Sequence, residues 1–107
     1  MKSLRIIYMG TPAFALGPLM HIHNSPHKIV SVITTTDRKS GRGKQLTPSP
    51  VKSFSEEVGL PVLQPTNLKD IDFLSHLEVL KPDVIVVVAF RMLPKEVWSI
   101  PLYGTFN

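Results

Sequence analysis

Residues 84–90 read Val-Ile-Val-Val-Val-Ala-Phe, an apolar run without a polar position. A strand that is apolar at every position must be covered on both faces, as at the centre of a parallel α/β sheet. Residues 4–9 form a second short, mostly apolar run that ends at Gly10, and residues 28–35 are rich in Val, Ile and Thr. These three segments therefore predict buried strands.

The segments between these strands have helical patterns. Helices are predicted over residues 13–24, with a disturbance at Pro18 because proline has no N–H to donate, and over residues 51–58, 70–80 and 94–98. A short extended piece at residues 61–63 and a further strand at residues 103–107 complete the order. The alternation predicts an α/β fold with right-handed crossovers and an open, doubly wound, mostly parallel sheet.

Length and composition fit one small globular domain. The chain has 107 residues, of which 43% are hydrophobic and 19% charged, and it contains no cysteine, which excludes disulfides and thiolate metal sites. Its apolar runs fall short of the ~18 residues that span a bilayer, and residues 1–12 lack the features of a signal peptide. We therefore expect a soluble, cytoplasmic protein that does not bind membranes.

The segment 37–50 differs in composition from the rest of the chain. It sets Arg38, Arg42 and Lys44 among glycines and prolines, and predicts an irregular loop of about 14 residues, longer than is usual inside a compact domain. Together with the net charge of +4, such a loop favours contact with phosphates or nucleic acid. The alternative is a solvated basic loop without a ligand.

Gly10-Thr11-Pro12 lies where the first predicted strand turns into a helix. Ligands of doubly wound sheets bind beyond the carboxyl ends of the strands, and N–H groups at a helix start attract anions. The turn matches neither the dinucleotide fingerprint Gly-x-Gly-x-x-Gly nor a Walker loop. A tight turn with a helix cap and no ligand is the competing interpretation.

The remaining residue types indicate no metal site and no hydrolase triad. The four histidines lack metal-binding spacing and are expected at or near the surface as structural residues. Trp98 and Phe54 are expected in the core. Phe90 and Met92, at the end of the apolar run, could line a pocket for a flat ligand, although the core is the default position for Phe90.

Several strings of residues occur together in one known family. In order along the chain these are residues 5–15, the loop and helix at 40–44 and 46–52, then 60–65, 81–89, 93–97 and 104–107. In these blocks the chain resembles the methionyl-tRNA formyltransferase family, and the resemblance covers almost the whole chain. It implies a Rossmann-like formyltransferase fold, with residues 1–107 as a truncated N-terminal portion of the catalytic domain, lacking the smaller barrel domain that follows it.

The resemblance implies an enzyme of translation initiation. Members transfer a formyl group from 10-formyltetrahydrofolate, the formyl-donor substrate, to the α-amino group of methionine on initiator tRNA, without a metal. The family's catalytic residues are an Asn, a His two residues later and a distant Asp; Asn107 matches the Asn, and the others fall after it. We expect this fragment alone to be inactive and prone to self-association, and the intact enzyme to be monomeric.

By the same match, two groups of residues contact the substrates. The folate donor is held by Phe90, Arg91, Met92 and Leu93. The initiator tRNA is bound by Arg38, Arg42 and Lys44 of the basic loop and by Gly10, Thr11 and Pro12 of the first turn.

Two positions depart from the usual family pattern. Ala13 stands where an Asp is common, and residues 89–94 are one residue shorter than the common Ala-Tyr-Gly-x-x-Leu-Pro form, which affects the donor contacts. Two alternatives stay open: a related 10-formyltetrahydrofolate-dependent enzyme that acts on a sugar amine or small amine, and a non-catalytic nucleic-acid-binding module. The basic loop argues against the first, and Asn107 at the mouth of the sheet against the second.

Overall fold

The computed structural model describes residues 3–40 and 45–107. Its strands are β1 (Arg5–Gly10), β2 (Lys28–Ile33), β3 (Arg38–Ser40), β4 (Gln45–Thr47), β5 (Val62–Leu63), β6 (Val84–Val88) and β7 (Thr105–Phe106). Five of them form one parallel sheet in the order β5-β2-β1-β6-β7, and β3 pairs with β4 in a separate antiparallel hairpin. The predicted doubly wound α/β sheet is confirmed.

The helices are α1 (Leu16–His23), α2 (Pro50–Glu57), α3 (Ile71–Val79) and α4 (Lys95–Trp98), with a short 3-10 helix at Ala13–Ala15 before α1. The predicted disturbance at Pro18 corresponds to the start of α1. Pro18 lies in its first turn, where backbone N–H groups have no partner within the helix, so a proline is tolerated there.

Side-chain caps fix where two helices begin. The hydroxyl of Ser49 accepts a hydrogen bond of 3.0 Å from the backbone N–H of Lys52, and Pro50 occupies the first position of α2. The carboxylate of Asp70 accepts one of 3.0 Å from the N–H of Phe73 at the start of α3. Both helices thus start within a residue of the predicted positions.

The chain reverses direction across the sheet at β1. It fills one side through β2 and β5, and then crosses by way of α3 to β6 on the other side of β1. The carboxyl ends of β1 and β6 lie side by side, with Gly10 opposite Val88. This reversal is the switch point at which doubly wound sheets form their binding crevice.

Apolar side chains fill both faces of the sheet. One core contains Ile7, Met9, Ile33, Phe73, Leu77, Ile85, Val87 and Val97, and so joins the sheet to α3 and α4. The other contains Tyr8, Ala15, Leu19, Ile29, Val32 and Val51, and joins the sheet to α1 and α2. Covering both faces accounts for the nearly continuous apolar sequences of β1 and β6.

The prediction of an irregular loop over residues 37–50 was wrong, because this segment contains two paired strands. Its described residues form the β3–β4 hairpin, in which Arg38 lies opposite Thr47, and Lys39 lies opposite Leu46. The strands have three residues each and their described side chains are exposed, so they carry no apolar alternation that would reveal them in the sequence. Arg42 and Lys44 lie outside the described residues.

Candidate active site

The turn at residues 10–12, which we call the first turn, begins at Gly10, where the chain is closely packed. A Cβ added at this position would lie 2.9 Å from the Cβ of Ala15 and 2.9 Å from the carbonyl oxygen of Val88. Contacts this short exclude any side chain unless the backbone moves. Glycine therefore allows β1 and β6 to run side by side up to the crevice.

Thr11 ties the first turn to the end of β2. Its hydroxyl oxygen accepts a hydrogen bond of 3.3 Å from the N–H of Thr35 and lies 3.5 Å from the hydroxyl of Thr34. Thr34 is itself 2.8 Å from the hydroxyl of Ser49, just before α2. Pro12 then leads into the 3-10 helix, whose start has no side-chain cap, and Ala13 is exposed there.

A small cleft joins this turn to the hairpin. Its volume is about 220 Å³. Thr11 and the guanidinium-bearing Arg38 both line it, together with Thr35, Thr36, Thr47, Pro48, Ser49 and Pro50. Two of the residues predicted to bind tRNA thus share one hydroxyl-rich cleft, although Gly10 and Pro12 lie beside it and do not line it.

At the end of β6 the backbone takes an unusual conformation. Ala89 has φ of +50°, in the left-handed region that residues with a side chain seldom adopt. It directly follows β6 and precedes the segment 90–93. Phe90 and Leu93 are half-buried against the core, whereas the side chain of Met92 is 95% exposed.

Arg91 connects this segment to the loop that follows β5. Its guanidinium donates hydrogen bonds of 2.6 Å to the carbonyl oxygen of Pro65 and 3.1 Å to that of Thr66. The same group lies 5.0 Å from the centre of the Phe90 ring, within the range of a cation–π contact. Arg91 therefore holds the segment in place, a contact that the sequence pattern did not predict.

The largest relevant cavity lies beyond the carboxyl ends of β6 and β7. Its volume is about 920 Å³, near the upper end of the range for small-molecule sites. The four predicted donor-binding residues and Asn107 all line it, together with Val87, Trp98, Ser99, Gly104 and Thr105. The structure thus brings together Phe90, Arg91, Met92, Leu93 and Asn107, from two separate strand ends.

Trp98 was expected in the core, and this prediction was wrong. Its side chain is 47% exposed and lines the cavity, because α4 ends at Trp98 and packs onto the core through Val97 instead. The hydroxyl of Thr105 donates a 2.8 Å hydrogen bond to the carbonyl oxygen of Trp98, which fixes α4 to β7. The other expected core residue, Phe54, is half-buried, and its ring makes a T-shaped contact with the ring of His23.

Sequence reasoning missed Trp98, Ser99 and Thr105 as residues of the cavity. A signal existed for Trp98, since a large aromatic residue shortly after the segment 90–93 can reach the same strand end. For Thr35 and Ser49, which line the smaller cleft, no comparable signal is present.

The described part of the chain lacks two features. Within residues 3–40 and 45–107, no three His, Cys, Asp or Glu side chains lie close enough together to hold a metal ion. None of the helices in the same ranges is long and apolar enough to cross a membrane.

Comparison with known proteins gives one consistent result. Residues 2–107 match the family described as formyl transferase. The chain is 50% identical over 107 residues to a methionyl-tRNA formyltransferase of Flavobacterium johnsoniae and 52% identical over 108 residues to one of Flavobacterium psychrophilum; both alignments cover 100% of this chain and 34% of the relative. A methionyl-tRNA formyltransferase of Parabacteroides distasonis is 51% identical over 107 residues, covering 99% of this chain and 33% of the relative. The chain spans about a third of the length of these relatives, and it belongs to the formyl transferase family.

Proposed function

We propose that the protein carrying this chain is a cytoplasmic methionyl-tRNA formyltransferase. It transfers a formyl group from 10-formyltetrahydrofolate to the α-amino group of methionine on initiator tRNA. The observation that carries the proposal is the 920 Å³ cavity, which the segment after β6 and Asn107 line together. Membership of the formyl transferase family and about 50% identity to three methionyl-tRNA formyltransferases support it.

The cavity has a lining suited to a folate. Phe90, Leu93 and Trp98 offer apolar and aromatic surface for a flat ring system, and the strand ends bring backbone polar groups to its edge. Arg91 holds the segment 90–93 in position through its hydrogen bonds to the carbonyl oxygens of Pro65 and Thr66. When bound there, 10-formyltetrahydrofolate supplies the activated formyl carbon.

Asn107 is proposed to stabilise charge that develops during the transfer. The amine nitrogen bonds to the formyl carbon, the bond from that carbon to the folate nitrogen breaks, and the proton lost by the amine balances the one gained by that nitrogen. Negative charge accumulates on the formyl oxygen in between. The side-chain amide of Asn107 can donate a hydrogen bond to that oxygen, as donors of an oxyanion hole do.

The acceptor is proposed to approach from the side of β1. Arg38 and Thr11 line the smaller cleft, and Arg42 and Lys44 follow Arg38 in the sequence. A guanidinium suits a phosphate because it offers paired N–H donors in a fixed plane. Thr11 shares the cleft with Arg38, and the adjacent Gly10 pairs with Val88 at the end of β6, so the turn of Gly10, Thr11 and Pro12 suits the 3′ end of the tRNA and its methionine.

The test is formyl transfer by the full-length protein and by its Asn107→Asp variant. The substitution keeps the shape of the side chain but replaces the amide donor with a carboxylate, which repels the developing oxyanion. We expect kcat to fall by about 10²–10³, the usual effect of removing one oxyanion-hole donor. Asn67→Asp is the matched control, because the Asn67 oxygen accepts a hydrogen bond from the N–H of Lys69 and a carboxylate can do the same.

The possible results separate the assigned roles. Transfer that Asn107→Asp leaves unchanged would keep the enzyme and reject the role of Asn107. A folded full-length protein that formylates a small amine or a sugar amine but not methionyl-tRNA would reject the proposed acceptor. Binding of tRNA without any transfer would favour a nucleic-acid-binding module.

A further inference from the structure

Three side chains meet at the base of the β3–β4 hairpin. Asp37 directly precedes β3, and its two carboxylate oxygens lie 3.0 Å and 3.1 Å from the ammonium nitrogen of Lys52 in α2. The side-chain amide of Gln64, which follows β5, donates a 2.8 Å hydrogen bond to the same carboxylate. Residues from two separate elements thus bind the residue at which the hairpin begins.

The contacts fix the backbone as well as the carboxylate. Gln64 also donates a 3.0 Å hydrogen bond to the carbonyl oxygen of Thr35, so its amide spans the segment from Thr35 to Asp37. The side chains of Lys52 and Asp37 are only 17% and 27% exposed. Hydrogen bonds from Gln64 and Lys52 lower the pKa of Asp37, with partial burial acting in the opposite direction, so its carboxylate is charged at neutral pH.

This arrangement decides which anions the hairpin cations can meet. Arg38 and Lys39 are exposed and follow Asp37 directly in the sequence, so its carboxylate is the one closest to them along the chain. Both oxygens of that carboxylate are instead engaged by Lys52, in what is the one salt bridge among residues 3–40 and 45–107. Lys52 thereby leaves the hairpin cations available to an external anion.

We propose that Asp37, Lys52 and Gln64 form a clamp that positions the hairpin and reserves Arg38 and Lys39 for the phosphates of tRNA. The inference rests on the proposed function, since it concerns the same substrate. Asp37 and Lys52 are positioning residues, because their charged groups bind each other. The distinctive consequence is that losing Lys52 harms tRNA binding through the freed Asp37, and not through the loss of a positive charge.

The experiment uses the full-length protein and the variants Lys52→Met, Asp37→Asn and their combination. For Lys52→Met we expect the KM for charged initiator tRNA to rise about threefold to tenfold, the scale of a partly exposed ion pair, with kcat and the KM for the formyl donor unchanged. The slope of log binding constant against log salt concentration should fall in magnitude by about 0.7–0.9, because the freed carboxylate competes with one phosphate. That slope is measured by equilibrium binding of uncharged tRNA, independently of catalysis.

The double variant separates this mechanism from simple charge loss. Asp37→Asn removes the competing carboxylate, so adding it to Lys52→Met should restore the salt slope and part of the tRNA affinity. Lys28→Met is the matched control, since it removes one exposed lysine at the first residue of β2, away from the carboxyl end of that strand, and should change neither quantity. Lys52→Arg, which keeps a cation beside Asp37, should behave like the parent.

Several outcomes would overturn the clamp. One is a double variant with the same salt slope and affinity as Lys52→Met, since Lys52 would then itself contact the phosphates. Another is a fall in kcat together with a higher KM for the donor, which would make the cluster a general support of the fold. A parent that transfers no formyl group would instead refute the proposed function, and the two failures are therefore distinguishable.

Discussion

Among residues 3–40 and 45–107, two residues other than glycine adopt left-handed backbone conformations, and they lie beyond opposite ends of β6. Ala89 and Lys81 both have φ of +50°. Lys81 directly follows Leu80, the C-cap residue of α3, where such a conformation commonly ends a helix. Ala89 ends no helix. It turns the chain from β6 into the wall of the donor cavity, so its strain coincides with the proposed site.

Glycine in place of Ala89 should therefore stabilise the fold and weaken donor binding. We expect Ala89→Gly to raise the free energy of unfolding by about 0.5–1 kcal/mol, because glycine adopts positive φ without steric cost. The KM for the formyl donor should rise about twofold to fivefold, since residues 90–93 would then lose more conformational freedom on binding. Denaturant unfolding and steady-state kinetics of the full-length protein measure both quantities.

Lys81→Gly provides the control for this pair of effects. It removes the same kind of strain outside the cavity, and should stabilise the protein without changing the KM for the donor. If Ala89→Gly lowered stability, its backbone would not be strained in the way that the φ angle indicates.

Tyr8 is a buried residue whose environment should change how the stability of the protein depends on pH. Its ring is fully buried, and its hydroxyl donates a 2.5 Å hydrogen bond to the carbonyl oxygen of Ala15. Burial disfavours the charged phenolate and raises the pKa of Tyr8 from 10.0 to about 12. Because the pKa is higher in the folded state, Tyr8 contributes stability that is complete below pH 10 and is lost as the pH rises towards 12.

Tyr8→Phe should thus lower stability at neutral pH and reduce its dependence on alkaline pH. The variant leaves the buried oxygen of Ala15 without its donor, which costs about 1–3 kcal/mol at pH 7. Between pH 10 and pH 12 the parent should lose stability more steeply than the variant, when unfolding is followed by denaturant titration at each pH. Parallel curves for the two proteins would show that folding does not raise the pKa of Tyr8.

At the level of elements, the parallel sheet was predictable and the hairpin was not. The sequence predicts the strands at residues 84–88 and 5–10, because burial on both faces of the sheet requires mostly apolar side chains. It also predicts the irregularity near the start of α1, because Pro18 lies in the first turn of that helix. The hairpin strands satisfy no such requirement. They are stabilised by pairing with each other, and Asp37, which directly precedes β3, is bound by Lys52 and Gln64.

The same distinction applies to the proposed site. The meeting of residues 90–93 with Asn107 follows from parallel strands, whose carboxyl ends share one edge. The smaller cleft depends on how the hairpin packs beside Thr11 and Ser49, so its lining residues could not be predicted from the sequence. The predicted position of Trp98 was wrong because a tryptophan near an apolar segment fits the core and a cavity wall equally well.

Across the whole molecule, the two faces of the sheet are covered unequally near β7. On the face that carries α1 and α2, Val86 and Val88 are only half-buried. Phe106, which lies opposite Val86 in the register, is 55% exposed. β7 also forms one edge of the sheet. An apolar patch beside a free strand edge favours association with further polypeptide.

We therefore expect the 107-residue chain to self-associate through this patch. Sedimentation velocity at increasing concentration should show oligomers of the parent chain, and Phe106→Lys should shift them towards monomer, because it places a charge on the apolar face beside the open edge. Val79→Lys is the control, since Val79 is also exposed but lies on α3, away from β7. The full-length protein, with about twice as much additional chain in relatives of this family, should stay monomeric. Oligomers that persist in Phe106→Lys but vanish in Val79→Lys would place the contact on α3 instead.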